Sequence, residues 1–151
     1  MLSSFKNLKN LEYLDLSANQ LKGSLDKLGN PQLTFLDLSN NPLDTNIPAA
    51  FFTKHAALEE VNLSKTDLNG QIPQLGTKIR QLDLSNNKLT NSLPSSLASL
   101  KELETLKLEN NLLVGPLPQK LREAKFQKLK EFTLYNNYIK DIAEKHSQTY
   151  L

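Results

Sequence analysis

Cysteine and tryptophan are absent from this chain, and methionine occurs once. Without cysteine there is no disulfide, no thiolate nucleophile and no thiolate metal ligand. The same absence leaves the compartment open, because a cysteine-free segment can come from a secreted protein. Histidine is scarce: His55 and His146 stand far apart, which argues against a histidine-rich metal site. Long apolar runs are missing. Leu112-Leu113-Val114 is among the longest, against the ~18 residues a membrane span needs. Nor does one charge dominate. Lys+Arg number 18 and Asp+Glu 16, a net of +2, too balanced to call for a nucleic-acid or membrane partner. The opening Met1-Leu2-Ser3-Ser4-Phe5-Lys6 lacks the apolar core of a signal peptide before Lys9 and Glu12. The expectation is either a cytoplasmic protein or a Met1 that is not the natural start of the full gene product.

Leucine is abundant and regularly placed. The line Leu11-Glu-Tyr-Leu14-Asp-Leu16-Ser-Ala-Asn19-Gln-Leu21 recurs six times. Its later copies run through Leu33, Leu36 and Leu38; Leu58, Val61 and Leu63; Ile79, Leu82 and Leu84; Leu103, Leu106 and Leu108; and Leu129, Phe132 and Leu134. The polar position that follows is Asn19, Asn41, Thr66, Asn87, Asn111 and Asn137, at intervals of 21 to 26 residues. This is L-x-x-L-x-L-x-x-N-x-L, the leucine-rich-repeat signature. The alternating L-x-L reads as a short strand with one face buried. One repeat cannot bury its leucines alone, so repeats stack into a continuous apolar column. The fold expected is an α/β repeat solenoid: a right-handed superhelix with a parallel sheet on its concave face and short helices and loops on its convex face. A side-chain amide at the asparagine column both donates and accepts where the chain leaves the strand. Thr66 offers one hydroxyl instead, so the third turn should be satisfied more loosely.

The second half of each repeat narrows the subtype. Leu68-Asn-Gly70-Gln-Ile72-Pro73 and Leu113-Val-Gly115-Pro-Leu117-Pro118 fit L-x-G-x-I/L-P in full. Leu43-Asp-Thr45-Asn-Ile47-Pro48 and Leu89-Thr-Asn91-Ser-Leu93-Pro94 lack the glycine, and Leu21-Lys-Gly23-Ser-Leu25 lacks the proline. Glycine and asparagine accept a positive φ and threonine does not, so the Thr45 loop should differ. Together these motifs resemble the plant-specific type of leucine-rich repeat, found in plant receptor kinases, receptor-like proteins and polygalacturonase-inhibiting proteins. The resemblance runs from about Leu11 to Ile139. It implies a ligand-recognition module, extracellular where a signal sequence is supplied.

Residues 1–151 read as a single domain of about six repeats without the cysteine-bearing caps that the family uses. The chain is expected to be an array piece with unusual ends. Leu2, Phe5, Leu8 and Leu11 at one end, and Ile139, Ile142 and Leu151 at the other, have no next repeat to cover them, so fraying or self-association is expected. Two long return segments, Pro48 to Leu58 and Pro118 to Leu129, carry helix formers after a proline. Each should hold a short convex helix, with Phe51 or Phe52, Leu121 and Phe126 as anchors.

Catalytic and metal-binding patterns fail on their details. Gly70 to Lys78 lacks P-loop spacing, and the residues that follow, Ile79-Arg-Gln-Leu82, read as a strand rather than a helix. Asp37-Leu-Ser39-Asn-Asn41 and Asp83-Leu-Ser85-Asn-Asn87 open like calcium loops, but the positions that need glycine and glutamate hold Pro42 or Lys88 and Pro48 or Pro94. Those Asp and Ser residues are better read as hydrogen-bonding each other along the sheet. His55 is placed on a convex helix and His146 in the tail, away from any strand serine, so no enzyme and no cofactor is expected. Lys120, Arg122, Lys125, Lys128 and Lys130 form a basic cluster, read as a solvated face with Glu123 and Glu131 interleaved. Asn62-Leu63-Ser64 is a glycosylation sequon that also matches the repeat.

Function then falls to the outward strand positions. One column reads Tyr13, Phe35, Glu60, Gln81, Thr105 and Glu131; the next reads Asp15, Asp37, Asn62, Asp83, Lys107 and Thr133. Six strands at ~4.8 Å spacing make a ruled surface about 25 Å wide, suited to a protein or peptide rather than a small substrate. Tyr13 and Phe35 should stand side by side as an exposed aromatic pair, flanked by Asp15 and Asp37. The partner-binding residues are expected among Tyr13, Asp15, Phe35, Asp37, Glu60, Gln81, Asp83, Thr105 and Lys107. The alternative is a scaffold or spacer whose repeats only hold flanking parts.

Overall fold

Six three-residue strands carry the architecture of the computed structural model, which describes residues 2–140. They are β1 (Tyr13–Asp15), β2 (Phe35–Asp37), β3 (Glu60–Asn62), β5 (Gln81–Asp83), β7 (Thr105–Lys107) and β9 (Glu131–Thr133). They form one parallel sheet in the order β1-β2-β3-β5-β7-β9. The register is that of the repeat: Leu14, Leu36, Val61, Leu82, Leu106 and Phe132 are successive partners. Inward leucines from neighbouring repeats therefore meet as one apolar column. Leu36, Leu38, Leu63, Leu84 and Leu108 have no exposed surface at all. Burial thins towards β9, where Phe132 and Leu129 are only partly covered.

Four strands lie on a second flank. β4 (Asn69–Gln71) pairs with β6 (Lys88–Thr90), and β8 (Val114–Pro116) pairs with β10 (Tyr138–Lys140). Gly70 and Gly115 take positive φ in the middle of β4 and β8, +73° and +84°, and Asn91 does so just after β6. At Thr45 the chain differs as expected: Asp44 adopts the left-handed conformation instead, and only an isolated Asn46–Asn69 bridge joins that loop to β4.

The asparagine column staples one repeat to the next. Nδ2 of Asn41, Asn87, Asn111 and Asn137 donates to the leucine carbonyl that ends the preceding strand segment: Leu16, Leu63, Leu84 and Leu108, at 2.8–3.0 Å. The Oδ1 of each accepts the N–H of Leu21, Leu68, Leu89 or Leu113. Both halves of the amide are thus used inside the core, where an unpaired polar group is costly. Thr66 cannot do this. Its hydroxyl donates to Leu63 O within its own repeat at 2.6 Å, and the Leu43 N–H turns to Asn41 O instead. The residue just before this column is left-handed in every repeat: Ala18, Asn40, Lys65, Asn86, Asn110 and Asn136 lie at φ 53–57°. Four asparagines suit that conformation, whereas Ala18 and Lys65 are strained by it.

The long return segments do form helices, α1 (Phe51–Lys54) and α2 (Gln119–Glu123). Phe51, Phe52 and Leu121 are buried under them, and Phe126 is partly buried. Short 3-10 turns occupy Leu2–Phe5, Leu25–Lys27 and Ser95–Ser99. The first of these covers repeat one: Leu2 is buried, and Asn30 Nδ2 donates to the carbonyls of Phe5 (2.7 Å) and Leu8 (2.8 Å). Leu2 is therefore not the uncovered end that the repeat pattern suggested, although Leu8 is exposed. Ile142, His146 and Leu151 lie outside the described residues.

Candidate recognition face

Because strand side chains alternate, the leucine ladder forces its neighbours outward. The expected aromatic pair is there: the Tyr13 and Phe35 rings are stacked, with centroids 4.1 Å apart and planes 5° from parallel. They sit opposite each other in the β1–β2 register. Tyr13 is 60% exposed and Phe35 half-buried. Glu60 follows Phe35 in the same column, then Gln81 and Thr105. A shallow groove of about 290 Å³ runs across this surface, lined by Phe35, Asp37, Glu60, Gln81, Asp83 and Lys107 among others.

The second outward column has a double role. Oδ1 of Asp15, Asp37, Asn62 and Asp83 accepts the backbone N–H two residues on, from Ser17, Ser39, Ser64 and Ser85, at 2.8–3.1 Å. This Asx turn closes the strand. The Ser17 N–H, helped by its hydroxyl, holds the Asp15 carboxyl below its ordinary value. Asp37 Oδ2 also accepts from Asn62 Nδ2 at 3.1 Å. The sequon asparagine is thus engaged on both sides of its amide by the sheet's own bonds. Lys107 breaks the acidic column, and its ammonium pairs with Glu131 at 3.3 Å. Thr133 donates its hydroxyl to the Glu109 carboxylate.

An ion-pair ladder edges the face where the chain enters the strands. Arg80 Nη2 meets Glu104 Oε1 at 2.8 Å, Arg80 Nη1 lies 3.7 Å from Glu59 Oε2, and Lys130 Nζ reaches Glu104 Oε2 at 2.8 Å. The bonds from Lys130 and Arg80 lower the Glu104 carboxyl to about 2. This ladder was not anticipated from the sequence, although the alternation of Glu59, Arg80, Glu104 and Lys130 at one repeat position carried it. The basic cluster is correspondingly divided. Lys120 and Arg122 stand on α2, while Lys128 and Lys130 pair with Glu102 and Glu104 of the preceding repeat. His55 stands at the end of the convex helix, as expected. It caps α1 from a buried site, with Nδ1 2.8 Å from Phe51 O, and burial pushes its pKa down.

Parallel three-residue strands turned by a buried asparagine, with glycine and proline in the return, define a leucine-rich-repeat solenoid. Residues 9–50 match the family described as Leucine Rich repeats (2 copies), and residues 78–100 match Leucine Rich Repeat. Receptor-like protein 7 of Arabidopsis thaliana is 38% identical over 112 residues, covering 73% of this chain and 12% of its own length. Receptor-like protein 35 of the same plant is 34% identical over 141 residues, covering 91% and 14%. In three dimensions the chain is similar to the Arabidopsis receptor kinase HAESA, solved in complex with the peptide hormone IDA and the co-receptor SERK1. The TM-score is 0.83 at 31% identity, covering 91% of this chain and 24% of that one. The chain is a leucine-rich-repeat array, and its Arabidopsis receptor-like relatives support the plant type of that repeat. It spans 12–14% of the length of these two curated relatives.

Proposed function

We propose that the concave face of this chain is a protein- or peptide-recognition surface centred on Tyr13 and Phe35, working as part of a plant-type receptor-like ectodomain. The observation that carries the reading is the exposed aromatic stack. The leucine core is complete without it, and a tyrosine 60% exposed on a sheet surface gains only about 1 kcal/mol or less from its stacked neighbour. Aromatic side chains are the usual anchors of interfaces, because they bury much area and lose little entropy. Asp15, Asp37, Glu60, Gln81, Asp83, Thr105 and Lys107 supply the surrounding polar rim. The shape favours a macromolecular ligand, since the groove is open and shallow. That HAESA was solved with a peptide hormone supports the same use of the fold.

Photo-crosslinking tests this directly. A benzophenone side chain placed at Gln81 on the concave face should capture the partner, and one at Lys125 on the return after α2 should not. Capture at Lys125 alone moves the site to the convex side and ends this reading.

A further inference from the structure

We infer that the part of the face formed by β1, β2, β3 and β5 takes a cationic, extended segment of a partner protein, with an arginine or lysine seated against the Tyr13–Phe35 stack. The inference rests on the concave face being the recognition surface and adds the chemistry of what it recognises.

Charge is distributed unevenly on this molecule. The chain as a whole carries +2. Yet the outward positions of these four strands hold Asp15, Asp37, Glu60 and Asp83 and not one lysine or arginine. None of these four carboxylates has a cation within 4 Å among the described residues, whereas Glu59, Glu104 and Glu131 near them are all paired. The basic residues are spent elsewhere.

Folding does not require the negative charge. Asn62 occupies the same column and makes the same turn, its Oδ1 accepting the Ser64 N–H at 3.1 Å. A neutral amide would therefore make the same turn at Asp15 and Asp83, while Asp37 also uses its second oxygen to accept from Asn62 Nδ2. Asp15 and Asp37 are moreover direct register partners, a like-charge pair that weakens a sheet. Carboxylates gathered on one face with no cation of the chain to neutralise them point to an outside cation.

The aromatic stack suits the same ligand. A guanidinium or ammonium over the face of Tyr13 or Phe35 is attracted by the ring, more strongly once desolvated. Asp15 and Asp37 follow two residues along the same strands, ~7 Å away, and Glu60 lies beside Phe35. Spacing adds a constraint. Asp37 and Asp83 are two strands apart, about 10 Å, close to the ~9 Å at which an extended polyproline II chain returns every third side chain to the same face. A segment lying across the strands with a basic residue at every third position matches the acidic column.

The test titrates the whole chain with two labelled synthetic peptides of equal length. One bears arginine at every third position among glycine and serine; the other bears glutamate there. The arginine peptide should bind and the glutamate peptide should not. Raising salt from about 0.05 to about 0.3 M should weaken binding at least tenfold. Asp15→Asn with Asp37→Asn should weaken it about tenfold, as should Tyr13→Ala with Phe35→Ala, with the circular dichroism of the folded chain retained. Asp26→Asn with Asp67→Asn, acids off this face, should change nothing. Equal affinity for the two peptides, or no binding of the arginine peptide by the folded chain, overturns the inference. If the crosslinker at Gln81 captures a partner and neither salt present before irradiation nor the Asp→Asn pair reduces the yield, the recognition face stands and its cationic ligand falls. Capture only from the convex side removes both.

Discussion

Asn87 donates its amide to the Leu63 carbonyl at 2.8 Å, across the boundary between the third and fourth repeats. Its Oδ1 takes the N–H groups of Thr66 and Leu68, both at 3.0 Å. One buried side chain thus fixes the turn of its own repeat and the chain that leaves the repeat before. Asn87→Ala leaves several buried backbone groups unpaired and should cost about 3 kcal/mol. Asn19 makes bonds only within its own turn and is exposed, so Asn19→Ala should cost about 1 kcal/mol or less. Urea midpoints of the two variants measure the contrast, and equal shifts would deny the staple.

Thr66 is where the staple is missing. Thr66→Asn gives the site an amide that can reach Leu43 N–H and Leu38 O, as Asn87 reaches Leu68 and Leu63. A gain of about 1 kcal/mol is expected from the same denaturation series. A loss would mean that the Asp44 loop, not the threonine, sets the geometry there.

Most of this architecture was legible in the sequence because each repeat restates it. Leu38, Leu63 and Leu84 announce a buried column by spacing alone, and Tyr13 and Phe35 announce a pair by sharing one outward position. Less legible were features without a repeated letter. The left-handed turn at Ala18 and Lys65 uses residues that give no conformational hint. β4 and β8 arise from pairing across repeats around Gly70 and Gly115, which no single repeat reveals. Sequence position places His55 on the convex helix, but its burial against Phe51 and the Leu28 backbone is a tertiary fact.

Core and surface should separate cleanly. Leu84 is fully buried with strands on both sides, and Leu84→Ala should cost about 2–5 kcal/mol. Lys88 pairs with Asp67 at 2.9 Å, but both side chains are about half exposed. Lys88→Ala should therefore stay within ~1 kcal/mol. Thermal melts of the two variants check this.

Acid should loosen the ion-pair ladder. The Glu104 carboxyl, lowered from 4.5 to about 2 by Lys130 and Arg80, binds a proton more readily in the unfolded chain than in the folded one. Its contribution is fully present above the unfolded value and is lost as pH falls from about 4.5 through about 2. Glu104→Gln should flatten stability against pH in that window. Denaturation midpoints between pH 2 and pH 6 that follow the same curve in both proteins would remove the ladder from the account.

The central claim is that the stacked Tyr13 and Phe35 anchor a partner on the concave face. Affinity for the partner captured through Gln81 should be measured for the parent chain, for Tyr13→Ala with Phe35→Ala, and for Lys120→Ala with Lys125→Ala. The aromatic pair should weaken binding by more than ~2 kcal/mol, about thirtyfold, with the chain still folded by circular dichroism. The convex lysine pair should leave affinity within about twofold. Full affinity in the aromatic variant, with loss in the lysine variant, would contradict the assignment and place the site on the basic convex side.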